Sequence, residues 1–171
     1  AALVQADFVH PPAALTLDQF RFDPSWKATA ADGSGGIDVG IAQGRYLYLR
    51  YHGRMSDIRI ARELVEIATR VYRANIVYAP HYSAIVDFTE LRGSSWLFRL
   101  RYSRLLRRFH DEIGLFPNLV VVVGESFRDR LALLSARLFY RAPLQFSESI
   151  PDALLRLRRD TLSRSLSETA P

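Results

Sequence analysis

Apolar and polar positions change period several times along the chain, and each change predicts an element. Residues 37–42 and 46–51 read as β-strands: the second, Tyr46-Leu47-Tyr48-Leu49-Arg50-Tyr51, alternates and is rich in β-formers. Gln43-Gly44 between them is a turn pair, so the two form an antiparallel hairpin that His52-Gly53 closes. The period then becomes helical. Ser56 is placed to cap a helix reaching about Arg73, with Ala61, Leu64, Val65, Ala68, Val71 and Tyr72 on its core face. A connection over 74–83 contains Pro80. Ala84-Ile85-Val86 follows as a short buried strand ending on Asp87, and residues 89–95 read as a polar turn. Residues 96–113 are helical again, stopped by Gly114 and Pro117. Leu119-Val120-Val121-Val122-Val123 is apolar on both faces, which marks a central parallel strand covered on each side. Ser126-Phe127-Arg128-Asp129 has the spacing of a capping box and opens a further helix. Leu144-Gln145-Phe146 is a last short strand, and a final helix runs from about Ser149 to Arg159.

The order is thus a β-hairpin followed by α, β, α, β, α, β, α. Alternating strands and helices predict an α/β fold with a mostly parallel sheet and right-handed crossovers. Residues 1–36 differ from the rest. Pro11-Pro12, Pro24 and the small residues over 28–36 suggest an N-terminal extension ending in a flexible loop, with one helical turn opened by the capping box Thr16-Leu17-Asp18-Gln19. Residues 37–159 form the α/β domain. The tail at 160–171 lacks apolar periodicity and is expected to fray.

These elements, in this order, resemble the anti-sigma-factor antagonist (STAS) superfamily, and especially its SpoIIAA-like branch. The resemblance rests on YLRYHG at 48–53, AIVDF at 84–88, the strand and glycine at 119–124, and FSESIPDALL at 146–155. It implies a SpoIIAA-like fold and a non-enzymatic regulatory or protein-interaction module. Signalling members are phosphorylated on a serine where the helix after the central strand begins, and Ser94 and Ser95 fall there. The turn departs from the usual Asp-Ser-Ser-Gly pattern, reading Arg92-Gly93-Ser94-Ser95-Trp96.

Composition narrows the chemistry. The 171 residues contain no cysteine, so disulfides and thiolate catalysis are excluded. None of the four histidines has a metal-binding partner at helical spacing, and neither metal nor cofactor is expected. Nucleophile elbow, P-loop and dinucleotide fingerprints are absent. No apolar run approaches the roughly 18 residues of a spanning helix, and no signal-peptide pattern is visible, so a cytoplasmic location is the expectation.

Two candidate sites remain. In open α/β sheets ligands bind beyond the carboxyl ends of the strands. That edge is expected to gather His52, Asp57, Asp87, Thr89, Glu90, Glu125 and Ser126 as a ligand crevice. Acid–base work by His52 and Asp87 is the enzymatic alternative, and turn and cap duty is the plain one. The second candidate is the helix over 96–113. Its apolar face holds Phe98, Tyr102, Leu105, Leu106, Phe109 and Ile113. Arg99, Arg101, Arg104, Arg107 and Arg108 spread over the other side with Leu97 and Leu100, and no acid intervenes between Glu90 and Asp111. With a net charge of +5 and Lys27 the only lysine, the basic surface is one of guanidinium forks. This helix, joined by Arg130, Arg137 and Arg141, is the expected partner surface. An acidic protein is the first choice, a homodimer is open, and nucleic acid is supported by charge alone. A Sec14-like carrier of an apolar small molecule is the second functional reading, ahead of the enzyme; it requires a cavity between helices and sheet.

Overall fold

The computed structural model describes residues 14–75, 81–114, 116–124 and 143–168. A single turn of 3-10 helix at Leu17–Gln19 opens them, with the Gln19 side chain accepting from Thr16 N–H at 3.3 Å. Six strands follow in one sheet: β1 Arg21–Thr29, β2 Gly35–Ala42, β3 Tyr46–Met55, β4 His81–Ser94, β5 Phe116–Val123 and β6 Leu144–Ser147. The described helices are α1 Ile58–Asn75 after β3, α2 Trp96–Ile113 after β4 and α3 Ile150–Glu168 after β6. The helix expected from Ser126, with Glu125, Arg130, Arg137 and Arg141, lies outside the described residues.

The strands lie in chain order, β1 to β6. β1, β2 and β3 form an antiparallel meander, whereas β3–β4, β4–β5 and β5–β6 pair in parallel. The sheet is therefore mixed, and the expected mostly parallel arrangement holds from β3 to β6 only, because the first strands return through tight turns and the later ones through helices. β5 is interior and runs parallel to β4, as its two-sided apolar run requires.

Alternation sorts the strands onto two faces. Leu47, Leu49 and Tyr51 of β3, Ala84 and Val86 of β4, and Val120 and Val122 of β5 pack with Ile60, Leu64 and Val71 of α1 and Phe98 of α2. Tyr46, Tyr48, Ile85, Leu119, Val121 and Val123 face the other way, onto Ala153, Leu154 and Leu157 of α3 and onto Leu15 and Phe20. Two apolar cores thus sandwich the sheet.

Four local expectations change. The stretch at 21–29, read as part of an extension, is the edge strand. Its pairing slips between Phe22 and Lys27, around Pro24. That bulge puts Phe22 against the α3-side core and Trp26 and Ala28 against the other, which destroys the period-two signal. The turn expected at 89–95 is instead strand as far as Ser94. β4 outruns β5 and pairs with the extended end of β3 through His52↔Glu90, Gly53↔Leu91 and Met55↔Ser94. The cap of α1 is Asp57, not Ser56: its Oδ1 accepts from Arg59 N–H at 2.9 Å. Finally, α3 continues past Arg159 to Glu168, because polar contacts hold its second half. Tyr46 and Thr161 hydroxyls meet at 2.8 Å, and Arg164 donates to the Asn118 carbonyl at 3.3 Å.

Candidate functional site

The register of the sheet draws one polar row across its α3 face. Lys27 pairs with Asp38, Asp38 with Arg50, Arg50 with Asp87, Asp87 with Val123, and Val123 with Ser147. Cross-strand partners project to the same side, so four alternating charges stand next to one another on adjacent strands. The row crosses β5 at its last residue, the carboxyl end of the parallel strands.

Asp87 is only 2% exposed, and both its oxygens are occupied. Oδ2 accepts from the Tyr48 hydroxyl at 2.6 Å. Oδ1 accepts from Thr89 N–H at 2.9 Å and the Thr89 hydroxyl at 2.7 Å. Burial, and then the bond to the Asp87 carboxylate, push the Tyr48 hydroxyl well above its usual value, so it stays a donor. Asp38 has its own partners, Lys27 Nζ at 3.7 Å and His52 Nε2 at 3.9 Å. Between the two acids the Arg50 guanidinium lies 4.7 Å from the centre of the Phe22 ring and 5.7 Å from that of Tyr48. Gly40 makes room for the Phe22 ring, which a Cβ there would strike.

Of the residues expected in the crevice, Asp87 and Thr89 are brought into contact. His52 stands on the same face, but against Asp38. Asp57 is spent at the start of α1, where both its oxygens also take the Arg59 guanidinium and hold its carboxyl below the usual range. Glu90 is exposed, opposite His52 in the register. Glu125 and Ser126 lie outside the described residues. The sequence reading missed Lys27, Asp38, Tyr48 and Arg50. One signal was available: Arg50 continues the Tyr46–Tyr48 phase, which puts an arginine in step with two tyrosines on the buried side of a strand. Among the described residues no three His, Asp or Glu side chains converge as a metal would require.

The second candidate, α2, begins at Ser95, whose Oγ accepts from Phe98 N–H at 3.1 Å. Ser94 is the last residue of β4 and pairs with Met55. Helix geometry at about 100° per residue puts Trp96, Leu97, Leu100, Arg101, Arg104, Arg107 and Arg108 on one arc, away from buried Phe98 and Leu106. Trp96 is 68% and Leu97 43% exposed. Arg101, Arg104 and Arg107 are exposed, and among the described residues no acid pairs with them. Two arginines depart from the expectation. Arg108 is paired within the helix, Nε to Glu112 Oε1 at 2.6 Å, an i,i+4 bond that the acid-free stretch before Asp111 had seemed to exclude. Arg99 lies outside the arc, on the side of buried Leu106 and His110, and its Nε is buried without a hydrogen-bond partner.

Between α1, α2 and the sheet lies a small apolar cavity, bordered by Leu47, Leu64, Tyr72, Tyr82, Leu106 and His110, of about 30 Å³. Ligand pockets run to roughly 300 Å³ or more. No described helix is long and apolar enough to cross a membrane.

A mixed α/β sheet with helices on both faces, entered through a β-meander, defines the class: the fold is SpoIIAA-like. The chain is similar to a solved uncharacterized protein of the DUF3478 family with a SpoIIAA-like fold, from Shewanella loihica PV-4. The two share 20% identity over 71% of this chain and 91% of that one, with a TM-score of 0.53. At that identity the likeness establishes the fold. No family model and no curated protein matches the chain.

Proposed function

We propose that this domain is a non-enzymatic protein-interaction module that receives an acidic partner on the outer face of α2. The observation that carries the reading is the combination on one helix face of Trp96 and Leu97, both exposed, with Arg101, Arg104 and Arg107, which no described acid neutralises. Exposed aromatic and arginine side chains are the residue types that anchor interfaces. A positive field attracts acidic surfaces and is screened by salt. The cap at Ser95 fits a modulatory role: its hydroxyl sits at the positive end of α2, where a phosphate is favourably placed.

The alternatives have less support. A cavity of about 30 Å³ has room for water but not for an apolar ligand, which weighs against a carrier. The acid–base reading needs an available carboxylate at Asp87, yet both its oxygens accept hydrogen bonds inside the protein.

The test is a pull-down at two salt concentrations with wild type, the triple variant Arg101→Ser/Arg104→Ser/Arg107→Ser, and Trp96→Ala. A specific acidic partner should be lost by the triple variant and by Trp96→Ala, and released from wild type by high salt. Capture that is insensitive to both variants would remove α2 as the surface.

A further inference from the structure

We propose that Arg50 anchors an oxyanion-binding site on the α3 face of the sheet, taking the carboxylate or phosphate group of a small ligand. The site is on the opposite side of the sheet from α2, and nothing in it depends on the interaction surface proposed there.

The case rests on how the polar row divides its partners. Asp38 is taken up by Lys27 and His52, and Asp87 by Tyr48 and Thr89. Arg50 stands between these acids in the register, yet among the described residues no carboxylate lies within ion-pair distance of its guanidinium. The side chain is half-buried, and partial burial of a cation without an anion is costly. Among the described residues its close companions are the rings of Phe22 and Tyr48 and the Tyr48 hydroxyl, toward which it acts as a donor while that hydroxyl is itself directed to Asp87. The two rings stand at 72° to each other, so the guanidinium cannot lie flat on both, and the N–H donors that neither the rings nor the Tyr48 hydroxyl take are left for an oxyanion acceptor. An arginine needed only to balance Asp38 or Asp87 would be bonded to one of them.

The flanking acids also set the character of the site. Asp38 and Asp87 offset the positive field, so a highly charged polyanion is disfavoured. Recognition falls to the geometry of the fork: two parallel N–H donors facing two oxygens of one group. Lys27 and His52, both partly exposed, add further donors along the row beyond Asp38.

The experiment titrates the full chain with inorganic phosphate and, separately, with acetate, at constant ionic strength, by calorimetry and by the Arg50 Nε–H resonance. Wild type should show saturable one-site binding of one of the two, which also decides between a phosphate-bearing and a carboxylate ligand. Arg50→Gln should weaken it about tenfold or more, as expected for loss of charge-assisted hydrogen bonds. Arg50→Lys, which keeps the charge and the stem, should also weaken it because the fork is gone. The variant Arg101→Ser/Arg104→Ser/Arg107→Ser should bind like wild type. Absence of saturable binding by either anion, equal binding by Arg50→Lys, or loss of binding in the α2 variant would overturn the assignment. Should Arg50→Gln fail to fold, the lysine variant and the wild-type resonance decide.

Discussion

Replacing Tyr48 by phenylalanine tests whether the polar row is a bonded network or a set of neighbours. The ring is fully buried, and its packing against Phe20 and Phe22, edge-on at 5.1 and 5.6 Å between centroids, survives the change. Only the hydroxyl is lost, and with it the 2.6 Å bond to Asp87 Oδ2. Asp87 would keep the two Thr89 bonds on Oδ1 but have a carboxylate oxygen without its donor in a nearly inaccessible position. A hydrogen bond to a charged group is worth about 1.5–3 kcal/mol, and stranding the acceptor places the cost towards the upper part of that range. For a chain of this size about 2.5 kcal/mol lowers the melting temperature by roughly 5–10 °C. The assay is urea unfolding followed by tryptophan fluorescence and circular dichroism, run as a double-mutant cycle with Asp87→Ala. The coupling energy should be about 1 kcal/mol or more, and Tyr48→Phe should cost little once Asp87 is absent. A loss below about 0.5 kcal/mol for Tyr48→Phe alone, or the same loss with and without Asp87, would refute the network.

Two further predictions follow from the same geometry and from the cap of α2. Because Tyr48 is held protonated in the fold, the unfolded chain releases that proton first as pH rises above the ordinary value of about 10; stability present below that pH should fall above it, and Tyr48→Phe should flatten the decline in an alkaline unfolding series. Ser95→Ala removes the acceptor for Phe98 N–H and should cost about 1 kcal/mol in urea unfolding, whereas Ser94→Ala should leave that helix start unaffected.

What the sequence revealed, and what it hid, divides by the kind of force involved. β5 was legible because five consecutive apolar side chains leave it no exposed face. The two sides of β3 were legible because Leu47 and Leu49 alternate with Tyr46 and Tyr48. β1 was hidden because its bulge moves Phe22 to one core and Trp26 to the other, so no single period spans it. The end of β4 was hidden for a different reason. Thr89, Glu90 and Arg92 have turn chemistry and are exposed, and the strand persists there through main-chain pairing with β3 rather than through burial. The second half of α3 was hidden because Asp160, Thr161 and Arg164 anchor it through polar bonds, which leave no apolar periodicity. The charged residues of the polar row come from four strands, and only the registers bring them together.

The row has a plain structural use, and separating it from the proposed site shows where the functional argument lies. A one-residue slip of β3 would exchange its two faces. Arg50 would then face the apolar layer of Leu64, Val71 and Val86, and Leu49 would enter the charged row. Burying an unpaired guanidinium costs several kcal/mol, so the row strongly penalises a slip by any odd number of residues. Lys27, Asp38 and Asp87 are accounted for in full by this role, since each is correctly placed and paired with a neighbour. Arg50 is not. A register lock needs its charge on this face, but gains more if the guanidinium closes on Asp38 or Asp87 than if it stands between them against two aromatic rings. The surplus is the set of donors that neither the rings nor the Tyr48 hydroxyl take, and that surplus, rather than the presence of charge on the sheet, is the ground for the proposed site.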